Sequence, residues 1–307
     1  MTGAGWPHRL ACGTAGATVG LIVAGGLVTN TGAALAVPDW PTTFGHNPFL
    51  FPWSGMVGGV LVEHGHRLLG AAIGILTIVL GVALAVAEPR RWVRWLGFLA
   101  VALVSIQGLV GGLRVVLLQD TLAIVHGCLA QLFFALLVTL AVVTGRGWAA
   151  PAAVPTGAPR LAPVAGLAVG VAYGQVVLGA FTAHAGALWW HVAGAVVTTG
   201  VLVGLSLAVL RGAGADPVLG WWGRTVKVLL AVQLALGLGA YTARFTDVGL
   251  PGDQLAVITL PVAHRAVGAL LLGATVALAL QLARRRARPA GAGMGRRDPL
   301  VSTQALA

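Results

Sequence analysis

The sequence predicts an all-α polytopic membrane protein whose eight transmembrane helices form two pseudo-symmetric four-helix bundles. Of its 307 residues, 58% are hydrophobic and only 9% are charged, with a mean hydropathy of +0.91. A soluble globular domain carries about 25% charged residues. The apolar residues fall into runs long enough to cross a hydrocarbon core of about 30 Å. Short motifs that recur in the two halves of the chain indicate an internal repeat.

Eight apolar runs define the predicted spans, with boundaries set to within about four residues. The spans are Leu10–Val28, Val57–Ala87, Trp92–Leu113, Leu122–Val143, Leu161–Thr182, Leu188–Leu210, Val226–Thr242 and Leu255–Leu282.

The first span imitates a secretory signal, because Arg9 precedes its apolar run and Ala34-Leu35-Ala36 resembles a cleavage site. However, the segment 26–32 at its end resembles the segment 179–186 at the end of the fifth span. Because a repeated element is expected to remain in the mature protein, we interpret the first span as a permanent helix.

The distribution of charge predicts the orientation of the helices. Most of the 19 lysines and arginines, including six arginines from Arg284 to Arg297, lie on one side of the predicted membrane. By the positive-inside rule, that side and both termini are cytoplasmic. The net charge of +11 does not indicate a nucleic acid as partner, because the basic residues lie between and beyond apolar runs. The two cysteines, Cys12 and Cys128, also lie in apolar segments and predict neither a metal cluster nor a disulfide framework.

Composition divides the chain into four regions: an N-terminal half at 1–145, a linker at 146–160, a C-terminal half at 161–283 and a basic tail at 284–307. The linker is rich in Ala, Pro and Gly, and the tail is expected to be disordered. The longest connection is the first outer loop, Asn30–Met56, which contains Pro38-Asp39-Trp40-Pro41. Its prolines and tryptophans predict an ordered interfacial loop.

The polar cluster Glu63-His64-Gly65-His66-Arg67 stands near the start of the second, otherwise almost wholly apolar span. Ionisable groups are costly in hydrocarbon, so such a cluster is by default a functional site. Glu63 and His66 are three residues apart and can point into the same cavity, whereas His64 lies about 100° away on the helix. The alternative interpretation places these groups at the membrane–water interface, where they are merely solvated.

Each predicted half contains two histidines inside its even-numbered spans, His66 and His126 in the first and His191 and His264 in the second. Each lies within about the first three turns of a span that runs inward, so we expect all four at one level near the outer surface. Two imidazoles that face each other across a helix bundle can take both axial positions of a haem iron. Neighbouring arginines can pair with the haem propionates, and the candidates are Arg67, Arg114, Arg244 and Arg265.

Other interpretations of these residues remain open. A single histidine commonly forms a helix-packing hydrogen bond, and zinc or copper also bind histidine, although two separate pairs suit two haems better. The repeated Gln-x-x-x-Gly pattern, at Gln107, Gln175 and Gln233, is interpreted as helix packing through small residues and glutamine hydrogen bonds. His64 and His184 receive no role.

Taken in order, the motifs resemble those of the haem A synthase family, the membrane enzymes of cytochrome oxidase biogenesis. Each motif is weak alone, but the ordered set is specific and covers nearly the whole chain except the basic tail. The matching residues are Gly26-Leu27-Val28-Thr29 with Gly32, Pro38-Asp39-Trp40-Pro41, Glu63 with His66-Arg67, Gln107-Gly108-Leu109-Val110-Gly111 and the histidines of spans four, six and eight.

The resemblance implies conversion of haem O to haem A, by oxidation of the porphyrin C8 methyl to a formyl group. The family is thought to use successive hydroxylations, after which the gem-diol loses water. The resemblance further implies that His66 and His126 bracket the substrate haem. It implies that His191 and His264 are the axial ligands of a permanent haem b that transfers electrons.

Glu63 matches the glutamate that the family requires and is the implied catalytic residue. It would accept a proton or stabilise positive charge at the oxidised methyl carbon. Only the first half carries this carboxylate, since Leu188, Trp189 and Trp190 precede His191. Some bacterial members carry a cysteine pair in the first outer loop, which this chain lacks.

The resemblance also implies surroundings and partners. The expected location is the plasma membrane of a prokaryote, with the lipid bilayer around the helices and no nucleic acid. Haem O is the expected substrate, and a haem O synthase and other cytochrome oxidase assembly factors are candidate partners.

Two other functions compete with the synthase. A di-haem b-type membrane cytochrome that only carries electrons predicts the same four ligands but gives no reason for a glutamate in one half alone. A transporter built from internal repeats places ionisable groups near the midplane. Here the polar groups lie at the outer level and the two halves share one orientation.

Overall fold

The computed structural model describes residues 5–149, 155, 157–248 and 253–286, and within these ranges the regular secondary structure is helical. Eight of the helices are long and apolar enough to cross a membrane, which confirms the predicted all-α polytopic fold. The helices are α1 (Trp6–Asn30), α2 (Gly58–Ala87), α3 (Arg91–Leu117), α4 (Asp120–Thr144), α5 (Arg146–Ala149), α6 (Ala158–Ala185), α7 (Leu188–Gly212), α8 (Pro217–Phe245) and α9 (Asp253–Arg286).

The largest boundary error concerns α8, which begins at Pro217 rather than at the predicted Val226. Asp216 caps this helix, since its carboxylate accepts hydrogen bonds from the backbone N–H groups of Val218 and Leu219 at 2.9 and 3.0 Å. Proline at the first helical position suits the same start. The early turns carry tryptophans and basic residues, so their low apolarity concealed the helix.

The structure also corrects the ends of the predicted linker and the start of the predicted tail. Helix α5 occupies the first residues of the linker at 146–160, and α6 already begins at Ala158. Helix α9 continues through Arg285, whose guanidinium is buried against Asp216 at 2.8 Å, so no disordered tail begins at Arg284. Basic side chains are favourable in the last turn of a helix, which explains the continuation. The rest of the linker and tail, 150–154, 156 and 287–307, lies outside the described residues.

The first four spans and the last four spans, called the two sets below, each make contacts among themselves, and α4 also contacts α6. Helix α1 contacts α2 and α4, and α3 contacts the same two helices; among the last four, α6 and α8 each contact α7 and α9. Helix α9 also contacts α1 and α4, and it is the most enclosed span, with 61% of its apolar window buried against at most 39% in the others. Its tight approach to α4 uses Gly273, where a Cβ would lie 3.0 Å from the ring of Phe134. Helix α9 thus joins the two sets.

One end of this assembly, called the histidine end below, carries His66, His126, His191 and His264 near the starts of α2, α4, α7 and α9. The connections there differ greatly in length. The loop between α1 and α2, residues 31–57 and called the first loop below, contains two short 3₁₀ turns, whereas only Gly186 and Ala187 connect α6 to α7. The first loop is ordered, as the sequence predicts.

Candidate functional site

Four histidines form two facing pairs at the histidine end. The ring centroids of His66 and His126 are 6.5 Å apart, and those of His191 and His264 are 6.1 Å apart. The rings in each pair are nearly perpendicular, at 80° and 83°. The tertiary structure therefore brings together the residues that the sequence analysis had assigned in pairs, two helices of one set meeting at each pair.

Every one of these rings lies against a glycine near the end of the preceding span. A Cβ atom on that glycine would stand 2.9 to 3.2 Å from the Cε1 atom of the ring, closer than ordinary van der Waals contact. Each ring therefore occupies the space that a side chain on the glycine would fill. The four glycines make equivalent contacts, and each is called the seat of its histidine below. The pairs are Gly25–His66, Gly111–His126, Gly179–His191 and Gly237–His264.

Two of the rings are held at Nδ1. In His126, Nδ1 donates to the backbone carbonyl of Gln107 at 3.1 Å, and the Gln107 amide donates to the His126 carbonyl at 2.8 Å. In His191, Nδ1 lies 3.0 Å from the amide nitrogen of Gln175, which also donates to the His191 carbonyl at 2.9 Å. In one histidine of each pair, a glutamine side-chain amide thus donates to the backbone carbonyl of the histidine, while the ring nitrogen has a backbone partner in His126 and a side-chain partner in His191.

The other ring of each pair has an unpartnered nitrogen. In the described part of the chain, Nδ1 of His66 and Nδ1 of His264 are buried without a hydrogen-bond partner. Leaving a buried polar atom unpaired costs about 1–3 kcal/mol, so such atoms in a native fold call for an additional bound group.

Both pairs fit axial ligation of a haem iron. A bond from a metal ion to an imidazole nitrogen is about 2 Å long, so two rings on opposite sides of one ion have centres about 6 Å apart. Both measured separations match this value. Among the described side chains, no group of three or more His, Cys, Asp or Glu could hold a metal ion. Zinc sites use at least three protein ligands, so the arrangement suits haem better than zinc.

Glu63 lies beside the first pair but is bonded to the first loop. Its carboxylate is buried, accepts the backbone N–H of Val37 at 2.9 Å and pairs with Arg67 at 2.9 Å. The guanidinium of Arg67 in turn donates to the backbone carbonyls of Val37 and Asp39, each at 2.7 Å. Glu63 and Arg67 thus fasten the first loop to α2.

His64, which the sequence analysis left without a role, fastens the same loop from another face of α2. Its side chain is buried, with Nδ1 3.1 Å from the hydroxyl of Thr43 and its ring 5.2 Å from that of Phe51. The helical offset of about 100° from Glu63 places it there. The pattern of the span could not identify its partner, because that partner lies 21 residues away.

The first loop is also stabilised by hydrogen bonds within it and by packing against α3. Burial raises the pKa of Asp39, but hydrogen bonds from the N–H groups of Gly45 and Phe44 and the hydroxyl of Thr42 outweigh it and lower the pKa to about 2. The ring of Trp40 packs on Gly112 so closely that any Cβ there would collide with it. Since the adjacent residue Gly111 seats His126, the loop reaches the edge of the first pair.

The structure separates the four candidate arginines. Arg67 is occupied by the first loop, whereas Arg265 donates only to the hydroxyl of Thr29, at 3.4 Å. The side chains of Arg114 and Arg244 form no hydrogen bond or ion pair with a described residue. Arg114 lies within electrostatic range of His66 and His126, and Arg265 within range of His264 and Arg244. His184 lies within electrostatic range of Arg114, Arg265 and Asp120.

Sequence reasoning missed the contact between glutamines and histidines. The Gln-x-x-x-Gly pattern places a glutamine one helical turn before each glycine seat in α3, α6 and α8, and all three glutamines touch a histidine residue. The signal was available, because the pattern recurs in the span before each of the histidines His126, His191 and His264.

Comparison with known proteins supports the assignment of this region. A family model described as COX15-CtaA, cytochrome oxidase assembly protein, matches residues 54–191. The match includes Glu63 and three of the four paired histidines. No curated protein matches the chain. The matched residues, 54–191, contain the complete first histidine pair and one histidine of the second, and this part of the chain is similar to the COX15-CtaA family of cytochrome oxidase assembly proteins.

Proposed function

We propose that the protein is a haem A synthase, which oxidises the C8 methyl of haem O to a formyl group by successive hydroxylations. The observation that carries the proposal is an asymmetry between two similar histidine pairs. Among the described residues, only the first pair has a buried carboxylate one helical turn from one of its histidines and a fastened loop at the same end, whereas two residues connect α6 to α7 at the second. The match of residues 54–191 to a cytochrome oxidase assembly family supports the same conclusion.

In this proposal the first pair binds the substrate and the second binds a cofactor. His66 and His126 would hold haem O, and His191 and His264 would hold a haem b that serves as an electron-transfer group. The first loop excludes water from the first pair, because Trp40 packs at the edge of the His126 seat. Among the described residues, the short connection between α6 and α7 gives the second pair no such cover, as electron transfer requires none.

The arginines near the pairs bind the haem propionates. Arg114 serves the first pair, since it lies near both of its histidines, and Arg265 with Arg244 serves the second. A carboxylate between two unpaired guanidinium groups gains charge-assisted hydrogen bonds. Arg67 is excluded from this role by its contacts with the first loop.

Glu63 contributes to the chemistry at the first pair. One of its oxygens bonds the Val37 N–H and the other bonds Arg67. In this state the carboxylate is a stabiliser of nearby positive charge, and release of Arg67 would convert it to a proton acceptor.

Pigment analysis tests the proposal. The protein should be produced with a source of haem O, and its haems extracted and identified by mass and optical spectrum. A haem A synthase yields haem A together with haem b. A di-haem cytochrome that only carries electrons yields haem b alone, and this result would overturn the proposal.

A second experiment tests the two sites separately. We expect His191→Ala and His264→Ala each to lose the low-spin haem b, because one axial ligand of the second pair is removed. His66→Ala should retain this haem b and lose bound haem O. Unchanged low-spin haem b in both second-pair variants would contradict the assignment of these ligands.

A further inference from the structure

Three of the four paired histidines have a glutamine in contact, and the fourth does not. Gln107 and Gln175 clamp the backbone carbonyls of His126 and His191. The amide nitrogen of Gln233 lies 3.2 Å from Nε2 of His264. Nδ1 is unpartnered in both His264 and His66 within the described part of the structure, but His66, the remaining histidine, has no glutamine in contact.

The difference at His66 is a single residue. Gln233 stands four residues before the seat Gly237 and lies against Gly268, with 3.2 Å between its amide nitrogen and a Cβ placed there. The same position in α1, four residues before the seat Gly25, is Leu21. Leu21 lies against Gly70, 4.0 Å from a Cβ placed there.

These two environments correspond closely. Gly268 follows His264 by four residues, and Gly70 follows His66 by four residues, within the matched strings His264-Arg265 and His66-Arg67. Leu21 therefore occupies in α1 the space that Gln233 occupies in α8. An apolar side chain there cannot hydrogen-bond the ring.

A polar partner beside a metal-binding imidazole fixes the orientation of the ring. Such outer contacts typically change metal affinity by about 10–100-fold. An amide can donate to or accept from the ring, because a half-turn exchanges its nitrogen and oxygen. A coordinating ring without such a hydrogen-bond partner rotates away from the iron more readily.

We propose that Gln107, Gln175 and Gln233 are positioning residues for three haem ligands, and that His66 is the ligand that dissociates from the iron when haem enters and leaves the first pair. The second statement rests on the proposed function, in which the first pair exchanges substrate for product and the second keeps its haem. The second pair has two glutamines, and the first has one. The pair with more positioning glutamines is thus the pair that is expected to keep its haem.

Haem loss to an excess of a haem-scavenging apoprotein tests this proposal. In the full-length protein, the rate at each pair is followed by its low-spin optical and electron paramagnetic resonance signals. We expect Gln233→Leu to accelerate loss from the second pair by about 10–100-fold. We expect Leu21→Gln to slow loss from the first pair by a similar factor, because it adds the missing brace.

Matched variants separate positioning from a general effect on folding. Gln131 is a buried glutamine of α4 whose side-chain oxygen has no hydrogen-bond partner among the described residues, so Gln131→Leu should leave both rates unchanged. Gln233→Asn and Gln233→Glu, which keep a polar group, should lie between wild type and Gln233→Leu. Equal rates for Gln233→Leu and Gln131→Leu would overturn the role of the glutamines. An unchanged or faster rate in Leu21→Gln would overturn the role of His66.

These outcomes are independent of the pigment test. If the protein binds two haems b and forms no haem A, the proposed function fails, whereas the effect of Gln233→Leu on haem loss remains measurable. If haem A forms but the rates do not change, only the positioning role fails.

Discussion

At the scale of single residues, the site depends on glycines, which have no side chain, as much as on the histidines that pack against them. Four glycines let four imidazole rings lie directly against the neighbouring helix, and close packing in a protein interior leaves little room for an added methyl group. Because the seats recur in α1, α3, α6 and α8, the rings face each other in pairs with nearly equal separations. Adding one methyl group at a seat glycine should therefore disturb only the histidine that packs against it.

Gly111→Ala tests this expectation, with Gly108→Ala of the same helix as its control. A Cβ at position 111 would stand 2.9 Å from Cε1 of His126, whereas one at position 108 meets nothing within 4 Å. We expect Gly111→Ala to weaken haem binding at the first pair about tenfold, the low end of the range for disturbed ligand positioning. Haem titration followed by optical spectra measures the effect. Equal haem affinities in the two variants would contradict the role of Gly111 as the seat of His126.

At the scale of elements, the first loop is fixed to the histidine end by contacts with two helices. Glu63, Arg67 and His64 hold it on α2, and Gly112 receives its tryptophan on α3. The connection between α6 and α7 has no comparable extent. The loop thus makes two otherwise similar halves unequal.

Substitution of the two fastening residues separates the loop contact from the chemistry of Glu63. We expect Arg67→Gln to increase cleavage of the first loop by protease, because it removes the guanidinium hydrogen bonds to the Val37 and Asp39 carbonyls. Glu63→Gln should increase cleavage less, because the amide oxygen at position 63 can still accept the Val37 N–H. Only Glu63→Gln should abolish haem A formation while haem stays bound. Glu88→Gln is the control, since Glu88 pairs with Arg90 at the opposite end. Normal haem A formation in Glu63→Gln would remove Glu63 from the mechanism.

At the scale of the whole molecule, α9 connects the two sets of helices. It contacts α1, α4, α6 and α8, and its end away from the histidines is tied to the start of α8 by Arg285 and Asp216. Burial raises the pKa of Asp216, but hydrogen bonds from the Leu219 N–H and from Arg285 outweigh it and hold the pKa below its usual range. The ion pair is nearly inaccessible to water, with side chains 3% and 9% exposed.

Asp216→Asn should destabilise the protein by about 3 kcal/mol, because it leaves a buried guanidinium without its charge partner. Thermal unfolding in detergent measures the change. Glu88→Gln, which leaves unpaired an arginine that is 31% exposed, should cost less than about 1 kcal/mol. Equal losses in the two variants would contradict the buried role of Asp216.

The same ion pair predicts a pH dependence. Because the carboxyl pKa is lower in the folded state, its stabilisation is present above the unfolded value of about 3.9 and is lost as pH falls below it. Wild type should therefore lose its stability advantage over Asp216→Asn on acidification through pH 4. A constant difference between pH 7 and pH 3 would contradict this linkage.

The sequence by itself determined the spans, the order of the motifs and the pairing of the histidines. Apolar runs of sufficient length have no other stable solution in a bilayer than helices, and chain order places two histidines in each half. It also predicted an ordered first loop from Pro38-Asp39-Trp40-Pro41. The predicted start of α8 was wrong, because tryptophan and arginine near a membrane surface lower the local apolarity without ending a helix.

Only the tertiary structure decided what each polar residue touches. The ring seats join residues from adjacent helices that are as much as 41 positions apart, as with Gly25 and His66, and local periodicity carries no information on such contacts. The same holds for Arg67, which the sequence grouped with three other arginines and which the structure bonds to the first loop. Helical geometry fixes the face on which a side chain lies, but the packing of neighbouring helices chooses its partner.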